Sequence, residues 1–158
     1  MENHLEIDHI KNIVDYGVIG LLVFMSIITF SFAIERLLFY RSIELSEYRH
    51  KLALELDLTK KLGTIATIGS NAPYIGLLGT VLAIILTFYI IGDKQNDIDT
   101  GEIMKHLALA LKATAAGLVV AIPATVIYNT LLYKVDRLIA KWEILQDEQK
   151  QNRQKQEV

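Results

Sequence analysis

Three long stretches without a charged side chain constrain this chain more than any other feature. They run from Tyr16 to Ile34 (19 residues), from Leu62 to Gly92 (31) and from Ala113 to Tyr133 (21). A helix needs roughly 20 apolar residues to cross the hydrocarbon layer of a bilayer. The first and third stretches fit one crossing each. The second would be about 46 Å long as a helix, at ~1.5 Å per residue. That is too long for one crossing and too short for two with a turn. It reads as a helix whose first part, 62–72, lies outside the membrane and whose crossing runs from about Pro73 to Ile91. The expected fold class is therefore an all-α membrane protein whose three transmembrane helices extend beyond the bilayer.

Composition agrees once its distribution is considered. The 158 residues are 52% apolar with a mean hydropathy of +0.33, a modest excess over soluble domains, but the charges cluster between the stretches. The net charge of −2 gives no reason to expect a nucleic-acid partner. The absence of cysteine excludes disulfides, thiolate metal sites and thiol catalysis. The first stretch does not read as a signal peptide. Its leader carries Glu2, Glu6, Asp8 and Asp15 against one Lys11, and it ends in Ile34-Glu35-Arg36 without a small-residue cleavage pattern.

Lysine and arginine orient the chain. Residues 35–61 and the tail after Tyr133 hold six each, so with three crossings 12 of 16 fall on one side. The positive side faces the cytoplasm, which puts the N-terminus outside and the tail inside. Acidic Asp93, Asp97, Asp99 and Glu102 fall on the outer side. The expected segments are an interfacial helix over 1–15, marked by Ile7, Ile10, Ile13 and Val14, and a first crossing over 16–40. A short helical connection over 41–61 leads to the second helix over 62–92. An outer loop over 93–104, the third crossing over 105–133 and a tail over 134–158 follow. In that tail Leu131, Val135, Leu138, Trp142 and Leu145 form one apolar stripe at alternating spacings of four and three. This predicts that the third crossing continues as helix to about Asp147, with a polar end from Gln149 that frays.

The second and third crossings each carry a face of small or weakly polar residues. In the second it is Gly69, Pro73, Gly76, Thr80, Ala83 and Thr87, opposite Ile75, Leu78, Leu82, Ile85 and Phe88. In the third it is Ala110, Thr114, Gly117, Ala121 and Ala124. Small residues let membrane helices approach closely, so helix packing explains both faces. An edge of each could also line a shared cavity. Thr80 and Thr114 either bond their own chain one turn back or supply hydroxyls to a polar path. Pro73 and Pro123 each remove a backbone donor.

No Asp, Glu or His lies within a crossing. Proton-driven membrane machines relay protons through such groups, so any proton conduction requires a titrating group from another chain. Lys112 starts the third crossing, as a snorkelling lysine or as a charge at a pore mouth. His4, His9, His50 and His106 are scattered without metal-ligand spacing. No nucleophile motif or phosphate-cradling loop occurs, and Gly76 and Gly79 fit close packing better. Neither an enzyme, a cofactor nor a metal is expected.

The segment Ala72-Pro73-Tyr74-Ile75-Gly76-Leu77-Leu78-Gly79-Thr80-Val81 resembles the second-crossing signature of the ExbB/TolQ/MotA proton-channel family. Ala113-Thr114-Ala115-Ala116-Gly117-Leu118, Ala121-Ile122-Pro123-Ala124 and Tyr128-Asn129 resemble its third, and Glu35-Arg36-Leu37 fits the end of its first. The likeness is greatest to the ExbB branch. It implies a homo-oligomeric, pentameric bundle in the bacterial inner membrane whose second and third crossings surround a central pore. That pore would hold the single spans of ExbD, whose carboxylate carries the proton. The complex would use the proton-motive force to energise TonB, which drives import of iron chelates and vitamin B12. The family's pore threonines fall on Thr80 and Thr114. The other small residues (Pro73, Gly76, Ala83, Thr87, Ala110, Gly117, Ala121 and Ala124) fall on pore wall or helix packing. A TolQ-like role in envelope maintenance and a non-conducting membrane scaffold are the alternatives. The chain departs from the family in two ways. Its inner connection has only about 27 residues, and Leu109 stands where many relatives carry a glutamate.

Overall fold

A computed structural model describes residues 2–93 and 100–156. Four helices account for nearly all of them: α1 Glu2–Ser42, α2 Lys51–Thr59, α3 Leu62–Asp93 and α4 Thr100–Gln156, with one 3₁₀ turn at Leu45–Glu47. Three carry stretches long and apolar enough to cross a membrane: Tyr16–Ser42, Leu62–Tyr89 and Ile103–Gln156. The fold is all-helical, as its charge-free stretches imply.

The boundaries follow the chemistry of the chain. No proline interrupts α1 and its first glycine is Gly17, so the leading segment continues into the first apolar stretch without a break. Ile13 is exposed there. Of the outer loop expected over 93–104, residues 94–99, Asp97 and Asp99 among them, lie outside the described residues. The third long helix starts at Thr100 and runs through the polar end expected to fray, as far as Gln156. The turn from α2 into α3 places Lys61 at φ 67°. This left-handed conformation costs a non-glycine residue roughly 1–2 kcal/mol. Lys61 Nζ is held there by an ion pair to Glu35 and lies 4.9 Å from the centre of the Phe32 ring.

α3 runs antiparallel to both α1 and α4. At the end where basic residues gather, Tyr40 of α1, Leu54 and Leu58 of α2, Leu62 and Ile65 of α3, and Leu131, Val135 and Trp142 of α4 form one buried cluster. Burying such side chains stabilises by roughly 1.5–3 kcal/mol each. The tail stripe Leu131–Val135–Leu138–Trp142 thus turns toward α2, while Leu145 at its end is exposed. Polar bonds fix α2 in place. Trp142 Nε1 donates to the Tyr48 carbonyl at 2.9 Å, Tyr40 donates to the Leu58 carbonyl at 2.6 Å, and Lys51 pairs with Glu143 at 2.6 Å. Arg36 is buried beneath this layer. Its guanidinium donates to the Asp57 carbonyl and to Glu35, both at 3.0 Å, and stacks 4.7 Å from the Phe39 ring centre. Nearer the middle, Leu22, Ala72 and Ala121 join α1, α3 and α4.

Candidate functional site

The two small-residue faces meet each other within one chain. Gly69, Gly76, Thr80, Ala83 and Thr87 of α3 are buried, as are Ala110, Gly117, Ala121 and Ala124 of α4, while Pro73 and Thr114 are half-buried. Leu78, Ile85 and Phe88, on the opposite face of α3, are exposed, as lipid-facing residues should be. Along these faces helix packing therefore prevails over an open cavity inside the single chain.

Gly76 and Gly117 bring the two backbones together. A Cβ on Gly76 would lie 2.6 Å from the Ala113 carbonyl oxygen, and one on Gly117 would lie 2.6 Å from that of Ala72. Both obstacles are backbone, which cannot swing aside. Gly79 serves the neighbouring helix: its Cβ would meet Ala113 Cβ and Val18 Cγ1, each at 2.9 Å. Glycine at these positions sets the depth at which the next polar groups meet.

One turn along from Gly76, the Thr80 and Thr114 hydroxyls lie 2.6 Å apart. Thr80 also reaches the carbonyls of Ala110 at 3.1 Å and Gly76 at 3.3 Å, and Thr114 reaches Gly76 at 3.4 Å. Each hydroxyl has one proton to give. The shortest arrangement has Thr114 donating to Thr80 and Thr80 donating to Ala110. The reverse, Thr80 to Thr114 to Gly76, uses the same atoms. Thr80 is only 6% exposed, whereas Thr114 is half-buried. The pair therefore has two alternative hydrogen-bond directions and one open edge. In the first arrangement Thr114 Oγ keeps a lone pair free to accept a proton from outside the chain.

Thr87 sits deep in the contact and bonds Ala83 O at 2.8 Å, the ordinary one-turn-back bond. It is not brought to Thr80. The proline-freed backbone carbonyls lie on the same helices, one turn before Pro73 and Pro123. Lys112 and Leu109 border a separate open cavity of about 210 Å³ with Tyr16 and Gly79. Sequence reasoning paired the two threonines only by analogy of position. It anticipated the one-turn-back bond of Thr80 to Gly76 but missed the acceptors across the contact, Ala110 for Thr80 and Gly76 for Thr114, since a carbonyl leaves no mark on residue identity. It also missed Arg36 and Trp142, whose signals were a charge abutting a crossing and a lone tryptophan in a stripe.

Comparison with known proteins identifies the family of the chain. Residues 31–144, which contain the hydroxyl pair and both glycines, match the MotA/TolQ/ExbB proton channel family. The chain is 53% identical to the biopolymer transport protein ExbB of Aquifex aeolicus, over 89% of this chain and 95% of that protein. It is 56% identical to a putative biopolymer transport protein ExbB-like 2 of Helicobacter pylori, over 85% and 89% respectively. A biopolymer transport protein ExbB of the same species is 48% identical, over 86% and 93%. These likenesses extend over most of this chain and nearly the whole of each relative. The chain is a multi-pass membrane protein that belongs to the MotA/TolQ/ExbB proton channel family.

Proposed function

We propose that this chain is an ExbB-type proton-channel and stator subunit, a scaffold and not an enzyme. In this reading several copies, five by resemblance, surround the single span of an ExbD-like partner in the bacterial inner membrane. The basic end carrying α2 faces the cytoplasm, and the N-terminus faces the periplasm. The assembly energises TonB-dependent import of iron chelates and vitamin B12. The observation that carries the reading is the Thr80–Thr114 contact at 2.6 Å, set between the charge-free stretches of α3 and α4.

The chemistry follows from that contact. A protonated carboxyl on the partner donates to the open lone pair of Thr114. Once it is ionised, Thr80 donates to Thr114, and Thr114 turns its own proton from the Gly76 carbonyl to the carboxylate. The pair thus offers a bonded partner to both charge states, which lowers the cost of an unpaired polar group in the apolar layer. A charge crossing 100 mV gains roughly 2.3 kcal/mol, so repeated transfers can drive motion of the partner. The chain holds no acid within its crossings, so the titrating group comes from the partner.

The names of the near-full-length relatives favour an ExbB-type client over envelope maintenance. A strain lacking the gene tests this. The proposal expects failure to grow on scarce chelated iron, with detergent resistance retained. Normal growth on chelated iron together with detergent sensitivity would assign the TolQ-like role instead.

A further inference from the structure

A second polar feature lies away from the hydroxyl pair. At the basic end of the α1–α4 contact, Arg41, Lys134, Arg137 and Lys141 converge on an open groove of about 230 Å³, with Leu37 and Leu138 among its walls. Among the described residues no acidic side chain lines it. Among the described residues none of the four cations forms an ion pair. The one contact of this kind is Arg137, whose guanidinium lies 5.8 Å from the centre of the Tyr133 ring. Four like charges held together by two rigid helices repel one another, so the groove is favoured by an anion.

Its depth says which anion. The charge-free stretches of α1 and α4 end at Ile34 and Tyr133. Lys134 and Arg137 follow within about 6 Å, at ~1.5 Å per residue, which is the depth of a phospholipid headgroup layer. Arg41 and Lys141 lie roughly 11–12 Å beyond the same boundary. Their stems are long enough to return the charges toward it. Leu37 and Leu138 continue the wall on the hydrocarbon side of those two cations. Basic pockets between transmembrane helices on the cytoplasmic side suit anionic headgroups. An arginine beside lysines supplies both a planar fork and point charges for phosphate oxygens.

We propose that this groove is a binding site for the phosphate headgroup of an anionic phospholipid, which clamps α1 to the emerging part of α4. The proposal rests on the membrane assignment and is independent of proton conduction.

The test uses the full chain in neutral detergent, titrated with dioleoylphosphatidylglycerol, dioleoylphosphatidylcholine or inorganic phosphate. Bound species are counted by native mass spectrometry. Phosphatidylglycerol should bind at least about tenfold tighter than phosphatidylcholine. An Arg41→Gln/Lys134→Gln double variant should lose about 25-fold of that affinity, since each cation near a surface is worth roughly fivefold. A Lys150→Gln/Arg153→Gln variant removes the same charge from the distal tail and should bind as the parent does. Unchanged helical circular dichroism in both variants keeps the comparison valid. Equal binding of the two lipids overturns the proposal, as does equal loss in both variants. Displacement of the lipid by millimolar inorganic phosphate also overturns it, by making the groove a free-anion site.

Discussion

Gly76 and Gly117 exclude each other's side chains reciprocally: a Cβ on either one would lie 3.1 Å from the Cα of the other. Close approach of α3 and α4 at this level is what allows the Thr80 and Thr114 hydroxyls, one turn away, to reach 2.6 Å. The close packing and the hydroxyl contact depend on each other.

Gly117→Ala should therefore push the helices apart, at a cost of about 1–3 kcal/mol for overpacking, and break the hydroxyl contact. Gly20→Ala is the matched control, because its Cβ would meet nothing within 4 Å. Denaturant unfolding in detergent should separate the two clearly. Equal stability of both variants would mean that the contact is looser than described.

The small faces were legible in the sequence because helical spacing sorts Gly69–Thr87 and Ala110–Ala124 onto single faces without knowledge of partners. Which surface each face meets was not legible. Packing and pore wall require the same small residues, and only the antiparallel register of α3 on α4 decides that these faces close on each other. The tail stripe was equally plain and a short helical connection over 41–61 was expected, yet that α2 is the partner of the stripe was not legible, since a nine-residue helix with two inward leucines leaves little periodic signal. The continuous α1 was missed for a related reason. Acidic residues marked a boundary of polarity, and a helix without proline or glycine there has no need to break at it.

Trp142 carries the anchoring of α2. Its ring is buried and its Nε1 donates to the Tyr48 carbonyl at 2.9 Å. Trp142→Phe keeps most of the apolar area and removes the donor, which should cost about 1–3 kcal/mol by leaving that carbonyl unpaired. Hydrogen exchange of the α2 amides should accelerate, with those of α3 near Thr80 unchanged. Unaltered exchange in α2 would show that the bond does not hold it.

The same contact region should be sensitive to alkali. Burial, and then hydrogen bonding to Asp57, raise the Tyr48 phenol above its ordinary 10.0. Pairing with Glu143 raises Lys51 above 10.5. Both groups hold their protons more tightly folded than unfolded. Their contribution is complete below the unfolded values and is lost as pH rises through the folded ones. Trp142 is the single tryptophan of the chain, so its fluorescence reports on this layer. It should stay constant from about pH 7 to 9.5 and change above about pH 10. A transition centred below pH 9 would contradict this assignment.

Replacing both hydroxyls is structurally cheap. The Gly76 and Ala110 carbonyls also serve as helix acceptors one turn back from Thr80 and Thr114, so Thr→Val leaves neither without a partner. Function and folding can thus be separated at this site. The direct test is proton flux into liposomes holding the chain together with its single-span partner, compared with Thr80→Val/Thr114→Val and Thr80→Ser/Thr114→Ser variants that assemble equally well. The proposed role of the hydroxyl pair predicts that the valine variant falls to the flux of protein-free liposomes while the serine variant conducts. Full flux through the correctly assembled valine variant would contradict it.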